Sequence, residues 1–500
     1  MPVSARRPAT RSRSRSRSRS HARSGSQRPN SKLGLEKIKL SAEDIYNQDV
    51  ERKFTPERDT WDGHYEFCGW PGVLGIMIAS HVLIYYFWIC IEKFGGTMIY
   101  PGHSMLKGET MWSVFGHYLR EHAAPTWETF GVFTAFLFLE YALAVILPGV
   151  RVKGLPIPSE NGYRLVYKCN AVHAWYCMLF ITAALHYTGV FPLYKLRRDY
   201  GRYLTVATLW ADFISIVVYI LGLRRQIRMT HNLVYDFFMG SGLNFRLPGG
   251  VDVKLFAECR NSWVLLVILT LSNAAAMRNE IGYVTWNMWF IVFAQMLYTN
   301  AIQKGEECII TTWDLFYEKF GWMLAYWNTC GVPFLYSMQG LYIQTVLKDH
   351  QHRPWQLGLM LSVLLPAYYI WDNANSQKNR FRMKRSGVPD AIIRRKAFPQ
   401  LPWGYIENPR VIRSERGELF VDGWYRYGRK LHYTVDITMA FLWGAACGFD
   451  SFIPFFYVCF FTSHLVDREV RDDHRCRKKY GKLWDKYLEV VPYKFIPGIY

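Results

Sequence analysis

The chain has 500 residues, of which 60 are Lys or Arg and 40 are Asp or Glu, giving a formal charge of +20 at pH 7. Half of the residues are hydrophobic and 17% are aromatic, which excludes a disordered protein and is unusual for a soluble enzyme. The 10 cysteines include no C-x-x-C pair, so we expect neither a disulfide scaffold nor a metal site.

The chain begins with a basic segment that differs from everything after it. Residues 1–31 hold nine Arg and no acid, with Arg-Ser dipeptides running from Arg11 to Ser20. Such a composition cannot bury a core and predicts disorder. The segment suits an arm for nucleic acid, anionic lipid or a partner controlled by serine phosphorylation, or a solvated cytoplasmic tail that helps fix topology. No specific nucleic-acid partner is expected. We assign residues 1–60 to a disordered tail and junction and 61–500 to a transmembrane domain.

Apolar segments of membrane-spanning length recur from Gly69 onward, since a helix needs about 20 residues to cross the hydrocarbon core. Ten are predicted: Gly69–Cys90, Trp127–Leu147, Ala171–Phe191, Tyr203–Leu223, Trp263–Met277, Tyr283–Ile302, Phe320–Leu347, Trp355–Trp371, Thr434–Gly448 and Phe452–Leu465. The fifth is short and the last two form a tight hairpin around Asp450, so nine or eleven spans also fit. The predicted fold is an all-α polytopic membrane protein with about ten transmembrane helices.

Basic loops predict the orientation of these helices. Arg224–Arg228 holds three Arg, and Lys378–Lys396 holds eight Lys or Arg against the single acid Asp390. The N-terminal tail and Arg471–Lys486 are basic as well. With ten spans all four fall on one side, which the positive-inside rule makes cytoplasmic.

Four clusters of polar residues border the predicted spans, where ionisable groups are costly and therefore suggest function. The first runs from Tyr235 through Gly240 to Arg246, and Asp236 and Arg246 could simply pair. The second follows Tyr298 and contains Lys304, Glu306, Glu307, Asp314 and Glu318. Its acids could tune a proton donor or form ordinary salt bridges.

The third and fourth clusters carry cations. Lys378 and Arg382 are four residues apart, so on a helix they share a face that suits phosphates or serves as an ordinary basic flank. Asp472, Cys476 and Tyr480 recur at helical spacing beside Arg475, Lys478 and Lys479. A basic amphipathic helix explains the charges but not the acid and the phenol on one stripe. No G-x-G-x-x-G motif is present, so any nucleotide must be held by cations and aromatic faces.

At these clusters the chain resembles the sterol reductase family of the endoplasmic reticulum, which includes Δ14-, Δ7- and C-24(28)-sterol reductases and the lamin B receptor. The resemblance runs from about Gly69 to Tyr500. Its most specific signatures are Asp236-Phe-Phe-Met-Gly with Leu243-Asn-x-Arg246, and Arg471-Asp-x-x-x-Cys476-x-x-Lys479-Tyr480-Gly-x-x-Trp484-x-x-Tyr487. The stretches Lys304–Gly321 and Arg429–Thr434 are similar to the C-24(28) branch.

The resemblance implies NADPH-dependent reduction of a sterol double bond in the endoplasmic reticulum membrane, with the sterol taken from the bilayer. Tyr298 matches a proposed proton donor, with Asp472 as its acidic counterpart. Implied cofactor contacts are Lys378, Arg382, Phe420, Tyr425, His432, Tyr433, Asp472, Cys476, Arg477, Lys478, Lys479, Tyr480 and Tyr487. Three residues depart from the usual family pattern. Phe245 stands where Asn-Pro-Arg is usual, Tyr425 stands where many members have Trp, and His432 stands where they have Asn.

The branch similarity favours reduction of the C-24(28) double bond in ergosterol-type biosynthesis, by proton and then hydride addition. Alternatives are reduction of the Δ14 or Δ7 bond, or a non-catalytic scaffold like the lamin B receptor. The short tail, which lacks a folded reader domain, speaks against a scaffold.

Overall fold

A computed structural model of the protein describes residues 41–103, 109–350, 352–395, 404–414 and 417–499. The Arg/Ser segment therefore lies outside the described residues. The first half contains helices α1 Ala42–Asn47, α2 Gly69–Phe94, α3 Met111–His122, α4 Trp127–Ile146, α5 Ala171–Tyr187, α6 Tyr194–Arg198, α7 Tyr200–Gly222 and α8 Leu233–Met239, with strands β1 Val150–Ile157 and β2 Tyr163–Cys169 between α4 and α5.

The second half contains helices α9 Trp263–Ile281, α10 Trp286–Lys304, α11 Met338–Thr345, α12 Pro354–Arg385, α13 Leu431–Ala445, α14 Phe456–Tyr480 and α15 Lys482–Val490, with strands β3 Val411–Ser414 and β4 Gly417–Phe420 between α12 and α13. Both strand pairs are antiparallel hairpins, with Val150 opposite Cys169 in one and Val411 opposite Phe420 in the other. The predicted helical membrane architecture is confirmed, and the two small hairpins are an addition to it.

Part of the predicted junction is packed against the rest of the fold. Ser41 begins α1 through a capping box with Asp44, which satisfies free N–H groups at the helix start. Tyr46 is 4% exposed, and its hydroxyl accepts a hydrogen bond of 2.7 Å from the backbone N–H of Lys153. The segment predicted as tail and junction thus contains a residue that belongs to the core.

Helix α9 lies at the centre of the helical core. The helical stretch Val253–Ile281 is 78% buried over its most apolar part, whereas Trp127–Ile146 is only 22% buried. A π-helical turn at Phe256–Ser262 leads into α9. A helix at the edge of the bundle exposes much of its apolar surface to lipid, whereas a central helix is covered by its neighbours. The difference in buried share therefore identifies Val253–Ile281 as central and Trp127–Ile146 as peripheral.

Every predicted span is helical over most of its length, but only some form single long helices. Four helical stretches in the described chain are long and apolar enough to cross a membrane: Gly69–Phe94, Trp127–Ile146, Tyr200–Arg225 and Val253–Ile281. Within the predicted span Phe320–Leu347, a π-helical turn at Trp327–Gly331 precedes Pro333, which has no N–H for the helical ladder. A turn at Tyr336 and Ser337 then separates this helical stretch from α11.

Two predicted spans extend well beyond their apolar parts. Helix α12 continues from Trp371 to Arg385 and carries Lys378 and Arg382. Helix α14 continues from Leu465 to Tyr480 and carries Asp472 and Cys476. Because α13 packs against both helices, the third and fourth clusters meet.

Candidate active site

Lys378 is held against an aromatic side chain by the loop that follows β4. The backbone N–H of Trp424 donates to the Gln377 side chain at 3.0 Å, and its indole N–H donates to the Asn373 side chain at 3.0 Å. These bonds tie the loop to α12. The neighbouring Tyr425 ring therefore lies under the Lys378 ammonium, with its centroid 4.8 Å away.

Tyr425 belongs to a continuous aromatic wall. It is 2% exposed, and its hydroxyl lies 3.3 Å from Nδ1 of His432. The Phe420 ring lies 5.7 Å from Tyr425, and the Tyr433 ring lies 4.4 Å from His432. Burial, reinforced by Lys378, lowers the pKa of His432 well below its usual value, so the imidazole is neutral. Four of the predicted cofactor residues thus form one surface.

A salt bridge between Lys430 and Asp472 joins the start of α13 to α14. Lys430 also lies over the Tyr433 ring, 5.4 Å from its centroid. One turn along α14, the Cys476 thiol lies 4.0 Å from Asp472 Oδ1. Asp472 and Cys476 therefore stand beside the aromatic wall, as their shared helical stripe predicts.

Positive charge exceeds negative charge at this site. Burial opposes ionisation of Asp472, but Lys430 and Lys378 outweigh it and lower the pKa of Asp472 to about 2. Burial, with repulsion from Arg382 and Lys430, lowers the pKa of Lys378 well below its usual value. Within the described residues neither Lys378 nor Arg382 forms a salt bridge. A bound phosphate would relieve this repulsion, so these residues fit a phosphate-bearing cofactor.

The remaining predicted contacts divide into two groups. Tyr480, Trp484 and Tyr487 form a stack in which the last two rings are 4.8 Å apart, and Tyr487 is buried beside Cys476. Lys479 lies over Tyr480 at 4.9 Å. Arg477 and Lys478 are exposed, and Arg477 pairs with Asp473 at 2.8 Å. The structure thus brings Tyr480 and Tyr487 towards the site but leaves Arg477 and Lys478 on the surface.

Tyr298 lies in a cage of tryptophan side chains. It is 8% exposed, and its ring stacks on Trp371 at 4.8 Å. Trp263 lies 4.9 Å away and Trp443 lies edge-on at 5.7 Å. Trp371 precedes Lys378 by seven residues on α12, which is two turns or about 10 Å. The cage therefore lies about 10 Å further along α12 than the cationic residues.

The acid that neighbours Tyr298 is Asp436. Its carboxyl interacts with the Tyr298 phenol, and its Oδ2 accepts a hydrogen bond of 3.0 Å from the Trp371 indole. Oδ1 of Asp436 is buried without a hydrogen bond among the described residues. Asp472, by contrast, is held by Lys430. The carboxyl beside Tyr298 is thus that of Asp436, and the proposed pairing of Tyr298 with Asp472 stays a prediction.

Sequence reasoning missed Asp436, although a signal was present. It is an acid inside the predicted span Thr434–Gly448, and such groups are costly in a membrane. It also follows His432 by four residues, so both lie on one face of α13. Lys430 was missed as well, because a basic residue just before the predicted span Thr434–Gly448 is typical of any membrane helix.

The acids of the second cluster do not surround Tyr298. Glu306 pairs with Arg260 at 2.9 Å, Glu307 with Arg380 at 3.1 Å and Asp314 with Arg468 at 3.0 Å. The alternative of ordinary salt bridges therefore describes these acids. Arg468 precedes Asp472 by one turn of α14, and the Arg475 guanidinium lies 3.3 Å from the Trp313 ring centroid. Through Trp313 and Asp314, the second cluster thus contacts and stabilises α14, the helix that carries Asp472.

The first cluster has a structural role. Asp236 accepts hydrogen bonds from the backbone and hydroxyl of Thr230, at 3.0 and 3.1 Å. Arg246 pairs instead with Asp252 at 3.3 Å. Gly240 has a φ of 95°, and a Cβ added to it would lie 2.6 Å from the backbone carbonyl of Phe320. The glycine that ends this motif is therefore required for close backbone packing.

Comparisons with known proteins agree with this architecture. The model of the Ergosterol biosynthesis ERG4/ERG24 family matches residues 62–500. A Delta(24(24(1)))-sterol reductase of Gibberella zeae is 41% identical over 93% of this chain and 78% of its own length. One from Aspergillus fumigatus is 43% identical over 87% of this chain and 92% of its own. A Delta(14)-sterol reductase of Methylotuvimicrobium alcaliphilum is 32% identical over 85% and 94%. With the family match covering nearly the whole helical domain, the chain belongs to the Ergosterol biosynthesis ERG4/ERG24 family of sterol reductases.

Proposed function

We propose that this protein is an NADPH-dependent reductase of the endoplasmic reticulum membrane that reduces the C-24(28) double bond of a sterol side chain. The observation that carries the proposal is the 41% and 43% identity to two Delta(24(24(1)))-sterol reductases over most of both chains. The cationic residues and the tryptophan cage on α12 support it, because cations suit phosphates and tryptophan faces suit an apolar substrate.

The cationic site is suited to hold NADPH. Lys378 and Arg382 would take phosphate groups, with Arg gripping two oxygens through its planar guanidinium. The wall of Phe420, Tyr425 and His432 offers flat faces for rings. When bound, NADPH supplies the hydride.

The tryptophan cage is suited to generate and protect a cation on the substrate. An isolated exocyclic C=C has no electron sink, so protonation must precede or accompany hydride addition. The proton goes to the terminal methylene carbon and leaves a tertiary cation at C24. The faces of Trp371 and Trp263 stabilise that charge, and the apolar walls exclude water that would otherwise capture it.

Tyr298 and Asp436 are suited to deliver the proton. Transfer of the Tyr298 hydroxyl proton to the alkene leaves a phenolate oxygen. A protonated Asp436 restores the phenol by passing on its own proton. The Trp371 indole holds the carboxyl in place through its hydrogen bond to Oδ2.

Sterol profiling by mass spectrometry after deletion of the gene tests the function. Accumulation of 24(28)-unsaturated sterols is the expected result, because the substrate would no longer be consumed. Accumulation of Δ14 or Δ7 intermediates would assign the enzyme to another branch of the family. An unchanged sterol profile would favour a scaffold.

Asp436→Asn and Asp472→Asn should have different effects, because their carboxyls serve different sites. The amide that replaces the Asp436 carboxyl cannot pass on a proton, so kcat should fall at least about tenfold, equivalent to about 1.4 kcal/mol of barrier. Asp472→Asn should chiefly raise KM for NADPH, since it releases Lys430. Steady-state kinetics of the purified enzymes measure both. An Asp436→Asn enzyme with unchanged kcat would remove Asp436 from proton delivery.

The Arg/Ser tail should be dispensable for turnover. Deletion of residues 1–31 should leave activity in membranes nearly intact, because a segment that cannot bury a core adds nothing to the buried site. Turnover at equal protein level is the measurement. A loss greater than about tenfold would contradict this prediction. We also propose that the tail binds a partner and that serine phosphorylation, which cancels the positive charge of the tail, controls this binding.

A further inference from the structure

His81 and Asp212 form a polar pair halfway along two membrane helices. His81 is at the middle of Gly69–Phe94, and Asp212 is at the middle of Tyr200–Gly222. Nε2 of His81 lies 3.3 Å from Asp212 Oδ2, and the Trp322 indole donates to Oδ1 at 2.9 Å. Ionisable groups at the centre of a bilayer are costly and are therefore rare there. The pair therefore calls for an explanation beyond packing.

The pair lies on the wall of an apolar groove that is separate from the tryptophan cage. The groove has a volume of about 560 Å³ and is widely open to the outside of the helical bundle. Its apolar walls include Leu74, Ile78, Val82, Ile216 and Phe237. The side chains of His81 and Asp212 are 32% and 38% exposed. The groove thus offers one polar anchor within an otherwise apolar surface.

The hydrogen bonds around the pair define what the anchor can bind. Nδ1 of His81 lies 2.8 Å from the carbonyl oxygen of Met77, so Nδ1 must carry a proton. One further proton lies between Nε2 and Oδ2, which makes the pair neutral as a whole. The carboxyl oxygens of Asp212 have about four lone-pair sites in all, so two stay open. The anchor is therefore a hydrogen-bond acceptor for a neutral donor.

We propose that this groove binds a sterol from the bilayer, with the sterol hydroxyl donating a hydrogen bond to Asp212. A sterol carries one hydroxyl on a large rigid apolar body, which matches one acceptor in an apolar groove. A charged or zwitterionic headgroup would have to be desolvated at the centre of the bilayer, and the neutral pair could not balance it. The choice of a sterol rests on the proposed function.

Photolabelling of the full-length protein in lipid vesicles with a photoactivatable 3-hydroxysterol tests the proposal. The labelled peptides should map to Gly69–Phe94 and Tyr200–Gly222. A 3-hydroxysterol should compete for labelling. Its 3-methyl ether cannot donate, so it should compete about tenfold more weakly because the hydrogen bond to the Asp212 carboxyl is lost. Labelling confined to other helices, or equal competition by the ether, would overturn the proposal.

Two variants and a control complete the test. Asp212→Asn should weaken labelling about tenfold by removing the strong acceptor. Val82→Trp fills the groove from a position that is 62% exposed, so it should abolish labelling without disturbing the core. Ile220→Trp, on α7 but outside the groove and 58% exposed, should label normally. Normal labelling of Val82→Trp would overturn the proposal even if Asp212→Asn fails to fold. Labelling requires no turnover, so its outcome is independent of the sterol profile that tests the reductase function.

Discussion

Tyr298→Phe is expected to lower turnover by roughly 10²–10⁴-fold, the usual contribution of a general acid. The substitution removes one hydroxyl and keeps the ring that stacks on Trp371 at 4.8 Å. Folding and NADPH binding should therefore survive. Single-turnover kinetics with purified enzyme, together with an NADPH binding measurement, separate a loss of chemistry from a loss of binding.

Tyr200→Phe is the matched control for this substitution. Tyr200 is also buried, but its hydroxyl donates to the backbone carbonyl of Phe334 at 3.1 Å, outside the tryptophan cage. Its loss should cost about 1 kcal/mol of stability and leave turnover unchanged. A fully active Tyr298→Phe enzyme would exclude Tyr298 as the acid.

Isotopes test the order of addition. In deuterated solvent the label should appear on the former methylene carbon, and a label from the NADPH hydride should appear on C24. Exchanged positions would exclude the proton-first mechanism.

Replacing Lys378 and Arg382 together with Ala should raise KM for NADPH by about 10²-fold. Each cation contributes at least one charge-assisted hydrogen bond to phosphate, and such bonds are worth about 1.5 kcal/mol or more. kcat should change little, because these contacts are the same in the ground state and the transition state. Steady-state kinetics over a range of NADPH concentrations measure both parameters.

Lys384→Ala is the control for the double variant. Lys384 lies on the same helix but donates to Tyr405 at 3.3 Å, away from the aromatic wall, so KM should stay unchanged. NADH should be a poor donor for the unmodified enzyme, since it lacks the 2′-phosphate that a cation would bind. Equal use of NADH and NADPH would contradict this assignment of the cationic site.

The helical membrane architecture and much of the cationic site follow from local sequence patterns. Each span depends on the hydropathy of about 20 consecutive residues. The spacing of Lys378 and Arg382, and that of Asp472 and Cys476, places each pair on one helix face. These features need no knowledge of how the helices pack.

Tertiary structure decided which of these faces meet and which acid serves which site. Tyr298, Trp371 and Asp436 come from three helices far apart in the chain, and only the packing of α10, α12 and α13 joins them. The same packing places Lys430 on Asp472, so that this carboxylate belongs to the cationic site. Helical periodicity orients a side chain only about its own helix axis, whereas a pair between helices depends on which helices pack together and at what depth.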